Sequence, residues 1–520
     1  MKQDSFSRRR FLAGVAQGTL VATIGPALAA DLGLAPRTLA AEDSGALAFG
    51  ELEPLVAFLQ ETPVAGLQAG LLAKVREGVA LKRLIAAGAL ANARTFGGED
   101  YIGFHTFMAL SPALNMSLLL PEKEAALPVF KVLYRNTNRI GEHGGRASEV
   151  LRPVSAPEAG STDSAALLAA IHEKNAEKAE RLFAGLSGTS EAAAFDALLE
   201  AIREGIEVHR TVLPSRAWEM RTLVGEAHAS VLLRQSLRYC LNAERHRRSE
   251  WEEPGRVLSA ALEKHGLLSR EAGTRAAEDA FVEELGMTFF GSSPADAADA
   301  AAAALAAGYR PEVVGEALAL AANQIVLRDP GRIPEWESSG KPTGSVHGDS
   351  VGVHASDAAH AWRNLAKAGT GKHAHACLIL GAWGVARDRA AGRGEMLLKA
   401  SPSPSARQVD SITESDEPAL LARLDEAVRG RLQSHAAAVV HRWADLKLPE
   451  RPVFERLLRF AVSEDGALHA EKYFQTVWDD FHLTRPAFRW RHLAGLARVT
   501  ASEYGYPAPG QEEARELLGV

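Results

Sequence analysis

Apolar residues recur at spacings of three and four along almost the whole chain, and this periodicity limits the fold more than any other feature. Such spacing places apolar side chains on one face of an α-helix. Alanine and leucine dominate these stretches, and the period-two alternation of β-branched residues that marks strands is nearly absent. The sequence therefore predicts an all-α protein, built as a multi-helix bundle or as an α-hairpin array.

Prolines, glycines and capping residues predict where individual helices begin and end. Ser293-Pro294-Ala295-Asp296 combines a cap, a proline at the first helical position and an acidic first turn. Residues 101–110 and 112–120 are predicted as two separate helices, whereas residues 214–247 are predicted as one continuous helix.

Three segments rich in proline, glycine or serine are predicted as long loops, at 154–164, 328–349 and 401–417. Long loops are often functional, and the loop at 328–349 leads directly into the part of the chain richest in histidine. We expect it to form a lid over a pocket. The chain of 520 residues is long enough for two domains, predicted as helical domains over 51–330 and 350–520, the second carrying the histidine-rich segment.

The first residues resemble a twin-arginine export signal. Arg8-Arg9-Arg10 precede Phe11-Leu12, a mild apolar run follows, and Ala27-Leu28-Ala29 supplies small residues for cleavage. Residues 1–29 are therefore predicted as a signal peptide, residues 30–50 as a flexible mature N-terminus, and the export machinery as a partner. The predicted location is the periplasm or the outside of the cell. Beyond Ala30 no apolar run is long enough to cross a bilayer, so we expect no integral membrane segment after cleavage.

Charge and cysteine content exclude several classes of function. The formal net charge is -7 and charged residues make up 24% of the chain, which argues against nucleic acid and against an anionic lipid surface as partners. With only two cysteines, Cys240 and Cys377, an all-cysteine zinc site is excluded. Whether these two cysteines pair is left open.

Histidines are concentrated just after the loop at 328–349. Ser350, His354 and Asp357 are spaced by four and three residues and share one helical face, and His347 lies seven residues before His354. Imidazole and carboxylate on adjacent turns suit a transition-metal site, or a base oriented by a carboxylate. We predict His354 as a ligand or base, Asp357 as its orienting partner and His347 as a ligand. The alternative is that these residues only cap the helix and form local hydrogen bonds.

Three further histidines lie in apolar helical surroundings and are predicted to reach the same pocket. They are His105 at an aromatic helix start, His228 on an apolar face, and His469 at the opening of another helix. A buried imidazole is costly without partners, so each is either a satisfied core residue or part of a site. We predict His105 as catalytic, with His354 and Asp357, and we predict His228 and His469 as metal ligands, with His347 and His354. The ion is left open among iron, copper and zinc.

Several stretches resemble the questin oxidase-like family, a helical group associated with oxygen-dependent ring cleavage. They are Gly308-Tyr309-Arg310-Pro311-Glu312 and its continuation, Ala467-Leu468-His469-Ala470-Glu471-Lys472, the surroundings of Phe104-His105, and residues 354–363. The chain is also similar to twin-arginine-exported proteins of environmental bacteria. The first resemblance implies a helical, oxygen-dependent oxidoreductase.

Two functions follow as hypotheses. The first is an exported oxidoreductase, metal-dependent and acting on a small organic molecule. The second is a non-catalytic helical binding or scaffold protein of the cell envelope. Convergence of imidazoles and carboxylates in one concave pocket would favour the first hypothesis.

Overall fold

A computed structural model describes residues 45–156, 163–246, 252–391 and 393–520. The signal peptide predicted for residues 1–29 and most of the predicted N-terminal segment 30–50 lie outside the described residues. Within the described residues the protein has 24 α-helices and no β-sheet, which confirms the predicted all-α class. None of these helices combines the length and the apolar character that crossing a membrane requires.

The helices of the first half, α1 to α12, are Glu53–Glu61, Val64–Arg76, Leu81–Phe96, Tyr101–Ser117, Ala126–His143, Ser164–His172, Ala176–Thr189, Glu191–Ile202, Val208–Val224, Glu226–Ala243, Glu253–Lys264 and Asp279–Gly291. The helices of the second half, α13 to α24, are Pro294–Ala306, Pro311–Arg328, Val351–Ala368, Lys372–Ala391, Gly394–Lys399, Ala406–Asp410, Glu417–Arg429, Gln433–Asp445, Arg451–Ser463, His469–Leu483, Trp490–Glu503 and Gln511–Leu518.

Two predicted helix boundaries are wrong, and both errors have a local physical cause. Helix α4 continues through Pro112, because buried apolar residues on both sides of the proline keep the helix packed in the core. Residues 214–247 do not form one helix, because Gly225 has a φ of +80° and separates α9 from α10. Such a left-handed φ is readily adopted only by glycine.

The predicted loops are largely confirmed. Residues between α14 and α15 form a loop with one short 3-10 turn at Pro334–Trp336. The segment 401–417 is not a continuous loop, because it contains helix α18, which begins with a capping box between Ser405 and Gln408. Of the segment 154–164, residues 157–162 lie outside the described residues.

One hydrophobic core runs through the described helices, from Phe49 to Ala514, and it draws on both predicted ranges 51–330 and 350–520. Both cysteines are buried in this region as free thiols. Inside the core, α4, α9, α15 and α22 contact one another in a closed ring, each helix touching the next. This ring brings together the starts of four helices that are far apart in sequence.

Candidate functional site

Four histidines meet where the four helices of this ring begin. His105 lies near the start of α4, His209 near the start of α9, His354 in the first turn of α15, and His469 is the first residue of α22. His105 and His469 are buried, and His209 and His354 are partly buried. The cluster therefore lies at the edge of the core with one side toward solvent. We refer to these four residues as the histidine cluster.

Capping side chains fix three of the four helix starts. Asp100 accepts a hydrogen bond from Gly103 N at 2.6 Å and is itself held by two hydrogen bonds from Arg139. Glu207 accepts hydrogen bonds from the first backbone amides of α9, and Ser350 caps α15. Because such caps define the direction of the first turn, they also fix the position of the histidines just behind them.

The start of α22 is held in a different way. Ala467 and Leu468 have φ values of 48° and 64°, in the left-handed region that residues other than glycine rarely adopt. The carbonyl of Ala467 lies 3.1 Å from His469 Nδ1. The strained turn therefore orients the imidazole of His469 through the backbone.

The Nε2 atoms of the histidine cluster face each other in two pairs. His105 Nε2 lies 3.1 Å from His209 Nε2, and His354 Nε2 lies 3.2 Å from His469 Nε2. Around the ring, the distances between neighbouring imidazole centroids are 4.7 Å for 105–209, 6.1 Å for 209–354, 5.1 Å for 354–469 and 5.4 Å for 469–105. The four rings thus surround one small volume.

The hydrogen bonds at Nδ1 determine whether each Nε2 atom carries a proton or a lone pair. His105 Nδ1 lies 2.7 Å from the Tyr101 carbonyl, His469 Nδ1 contacts the Ala467 carbonyl, and His209 Nδ1 contacts the carboxylate of Glu207. These oxygens only accept, so Nδ1 carries the proton and Nε2 of the neutral ring carries a lone pair. In the pair of His105 and His209, two lone pairs would face each other at 3.1 Å, so a proton or a cation must lie between them. In the pair of His354 and His469, His354 can instead donate a proton from its Nε2 to His469.

The surroundings disfavour the protonated form of these rings. Burial, together with the charge of Lys472, lowers the pKa of His105 to about 2 and the pKa of His354 to about 4. The same causes hold the pKa of His469 well below its usual value. Neutral imidazole is the form that binds metal ions, so three of the four rings are ready ligands at neutral pH.

Glu207 supports the fourth ring and is the orienting carboxylate of the cluster. Its partial burial raises its pKa, but hydrogen bonds from His209 and from the Tyr239 hydroxyl outweigh that effect and lower the pKa to about 2. Glu207 is therefore ionised and fixes the tautomer of His209. A histidine held by a carboxylate in this way is the common arrangement behind metal ligands.

Asp357, predicted to orient His354, has another partner. It accepts a hydrogen bond from Thr476 Oγ1 at 2.8 Å, and burial raises its pKa although the charge of Lys472 acts in the opposite direction. Lys472 itself is buried, and burial lowers its pKa to about 8. Within the described residues, no carboxylate lies within 4 Å of the Lys472 amine, so Asp357 and Lys472 do not form a direct ion pair.

His347 lies beside the cluster and His228 does not join it. His347 Nδ1 is 3.2 Å from Asp349 and its Nε2 is 3.9 Å from Glu503. The following residue, Gly348, packs so closely on His469 that an added Cβ would lie 2.5 Å from the Cβ of that histidine. The ring of His228 packs edge-to-face on Phe49 instead, and in the described part of the chain no hydrogen bond or ring contact connects it to the cluster.

The cluster is not a finished ion site as its side chains stand. Among the described residues, no group of three or more His, Cys, Asp and Glu side chains has its donor atoms arranged to hold a metal ion. The two Nε2 pairs are close, but the 209–354 edge of the ring is wide. Any ion would therefore have to draw the rings together.

Two features lie at the open side of the cluster. The ring of Tyr101 lies 4.5 Å from the ring of His105, and this tyrosine is 64% exposed. Glu207 also lines a cleft of about 430 Å³, together with Tyr239, Trp383 and their neighbours. The cleft and the cluster thus share Glu207.

No protein-family model, curated protein or solved structure matches this chain. Of the predicted residues, the structure brings together His105, His354 and His469, with His347 beside them. The fourth ring, His209, was not among the predicted residues. The sequence signal that could have found it is the pair Glu207 and His209 at a helix start.

Proposed function

We propose that the protein is an exported, metal-dependent oxidoreductase that acts on a small organic molecule, with the histidine cluster as its metal site. The observation that carries the proposal is the convergence of four imidazoles whose Nε2 atoms face one another. In this cluster the facing imidazole nitrogens have only each other as Nε2 partners, with no carboxylate between them. Grouping four polar rings at the edge of an apolar core is costly, and an ion bound between them would offset that cost. A site of this kind favours an enzyme over a scaffold protein.

The distances are close to those that an ion would impose. For an ion about 2.1 Å from each nitrogen, two neighbouring ligands are separated by about 3.0 Å in octahedral and about 3.4 Å in tetrahedral geometry. The observed Nε2 separations of 3.1 and 3.2 Å lie within this range. Ring centroids would then be about 4.5 to 5.2 Å apart, so the wide 209–354 edge has to close by about 1 Å.

The donor set suggests which chemistry such an ion would supply. Imidazole suits iron, copper and zinc, and four imidazoles leave two of six octahedral positions open. A redox-active ion bound there would exchange electrons with a substrate. Glu207 would keep His209 oriented, and the ring of Tyr101 would shield His105 from bulk water. The prediction of export rests on the arginines and the cleavage site of the first 29 residues.

Metal titration tests the proposal directly. Metal-free protein is titrated with Fe(II), Cu(II) and Zn(II), each alone, and bound metal is measured after dialysis. We expect one ion per chain, and we expect its loss in the double variant His105→Ala/His469→Ala. His172→Ala is the matched control, because His172 is an exposed histidine paired with Glu204 at 2.6 Å.

Two outcomes of the metal titration would contradict the proposed metal site. If wild-type protein binds no stoichiometric ion, or if the double variant binds as well as the His172→Ala control, the metal site is wrong. Export is tested separately by fractionating cells that carry the wild-type chain or the Arg8→Lys/Arg9→Lys/Arg10→Lys variant. Retention of only the variant in the cytoplasm supports export.

A further inference from the structure

The cleft beside Glu207 has the properties of a ligand site. Its volume of about 430 Å³ lies within the range of small-molecule pockets. We propose that it binds a neutral, mostly apolar organic molecule with one N–H or O–H group, which donates a hydrogen bond to the hydroxyl oxygen of Tyr239. This inference rests on the proposed function, since it assigns the substrate of that oxidoreductase a position and a chemical class.

The walls of the cleft are largely apolar. Its lining includes Ile206, Ala243, Pro254, Trp383 and the ring of Tyr239. Burial of an apolar molecule against such side chains supplies most of the binding free energy, and a few polar groups then fix its orientation.

The cations that line the cleft already have partners inside the protein. Arg387 donates hydrogen bonds to Asp388 and to the Ile206 carbonyl. Arg210 is buried, bonds to the Ala201 carbonyl and lies 3.7 Å from Glu244. An anionic ligand would have to compete with these partners for each guanidinium. The cleft therefore disfavours an anionic ligand, and its largely apolar lining makes burial of any full charge costly.

Glu207 already accepts several hydrogen bonds from the protein. Its Oε2 accepts from the backbone amides of His209 and Arg210 at 3.1 and 3.2 Å and from the Tyr239 hydroxyl at 2.7 Å, and its Oε1 accepts from His209 Nδ1. The Tyr239 hydroxyl donates to Glu207, and no hydrogen bond from the described residues to its oxygen is seen. A ligand donor therefore needs an acceptor that is less occupied than Oε2.

Tyr239 provides that acceptor. Its hydroxyl proton is directed to Glu207, and a hydroxyl that donates still has lone pairs with which to accept. Burial and the nearby charge of Glu207 raise the pKa of Tyr239, so the proton stays on the tyrosine. A ligand N–H or O–H would thus join a chain of hydrogen bonds from Tyr239 through Glu207 to His209. Such chains strengthen each bond in them, which links the cleft to the histidine cluster.

Three probes of similar size test the proposal by calorimetry on metal-free wild-type protein. Indole has one N–H donor, 1-methylindole has none, and indole-2-carboxylate adds a negative charge. We expect indole to bind about 2- to 10-fold more tightly than 1-methylindole, the range that one hydrogen bond provides. We expect indole-2-carboxylate to bind more weakly than indole.

Tyr239→Phe keeps the ring and removes only the hydroxyl. This variant should bind indole and 1-methylindole equally, with the affinity for 1-methylindole unchanged. Tyr504→Phe is the control, since Tyr504 bonds to Arg429 elsewhere in the protein. The proposal is overturned if indole does not bind, if wild type does not distinguish the two indoles, or if Tyr239→Phe still does. Because no metal is present, these results are independent of whether the cluster binds an ion.

Discussion

Helices α15 and α22 pack along each other, and the histidines near their beginnings and near their ends have different partners. At their beginnings, His354 and His469 face each other at 3.2 Å without a carboxylate between them. Nearer their ends, His360 lies 3.3 Å from Asp479 and 3.7 Å from Asp480, and Asp480 also pairs with Arg363. We refer to these last four residues as the ion-pair cluster.

The presence or absence of nearby carboxylates distinguishes a histidine with a structural role from a histidine that is available to a ligand. His360 has partners from the surrounding side chains at both ring nitrogens. Its Nε2 lies 2.8 Å from the amide nitrogen of Asn364 and 3.3 Å from Asp479, and its Nδ1 lies 3.7 Å from Asp480. At the other end, the partner of His469 Nε2 is another imidazole nitrogen, Nε2 of His354 at 3.2 Å. In the same pair of helices, the histidine near the ends has its partners within the protein. The histidines at the beginnings would gain a partner if an ion bound there.

The largest effect is expected from breaking the ion-pair cluster. Asp480→Ala removes the partner of Arg363, and both side chains are buried. An unpaired buried charge should lower the free energy of unfolding by about 3 to 5 kcal/mol. Urea unfolding measures this loss, with Asp445→Ala at an exposed pair as the control. A loss as small as that of the control would show that the ion-pair cluster is not structural.

Removing a ring from the histidine cluster should affect metal binding instead. We expect His469→Ala to lower the affinity for the ion by more than about 100-fold, since loss of a ligand exceeds the 10- to 100-fold cost of losing a group behind one. His360→Asn on the same helix pair should leave the affinity unchanged. Equal affinity of both variants in a metal titration would remove the distinction between the two ends.

Glu207→Gln tests the support of His209. The amide can present its nitrogen to the ring and no longer fixes the tautomer, so metal affinity should fall by about 10- to 100-fold. The variant Glu226→Gln, at the start of α10, provides a control for the loss of one charge. Unchanged affinity in Glu207→Gln would mean that His209 is not a ligand.

The two ends should also respond to acid in different pH ranges. The pKa of His354 is about 4 in the folded protein, below its usual value of 6.5, so its contribution to stability is present above pH 6.5 and is lost as the pH falls toward 4. For Asp480, burial raises the pKa, but the charge of Arg363 outweighs burial and lowers it to about 2, so its contribution is lost below pH 3.8.

Urea unfolding of metal-free protein at several pH values measures both ranges. Because His354 is partly exposed, we expect about 1 to 2 kcal/mol of lost stability between pH 6.5 and 4 that is absent in His354→Asn. Identical pH profiles of wild type and His354→Asn would contradict the low pKa of His354.

The smallest effect is expected at the strained turn before His469. Ala467 has a φ of 48°, which glycine adopts without strain, so Ala467→Gly should raise the free energy of unfolding by about 0.5 to 1 kcal/mol. Ala470→Gly, inside α22, should lower it by about 1 kcal/mol. A destabilised Ala467→Gly variant in thermal unfolding would show that the turn is not strained.

The fold class could be predicted from sequence because helical periodicity is local. Apolar spacing identified most helices, whereas Pro112 and Gly225 were misjudged because packing decides whether a helix continues. His105 and His469 were predicted because each lies at an apolar helix start, and His354 was predicted because it shares a helical face with Ser350 and Asp357.

The complete cluster could not be predicted, because its members come together only through tertiary packing. His209 lies between Glu207 and Arg210, and charged neighbours usually indicate a solvated surface. Asp357 shares a helical face with His354, yet Thr476 on another helix takes its carboxylate. The role of His228 as a ligand stays a prediction, and so do the export signal and the choice of ion.

The wide separation of the four histidines in sequence has a consequence for how long the protein lasts. His105 and His209 are 104 residues apart, and His354 and His469 are 115 apart. An ion held by all four would act as a cross-link that closes several long loops at once. Each tenfold excess of free ion over its dissociation constant would add about 1.4 kcal/mol to the free energy of unfolding. Such an ion would therefore preserve the folded protein as well as serve the proposed chemistry.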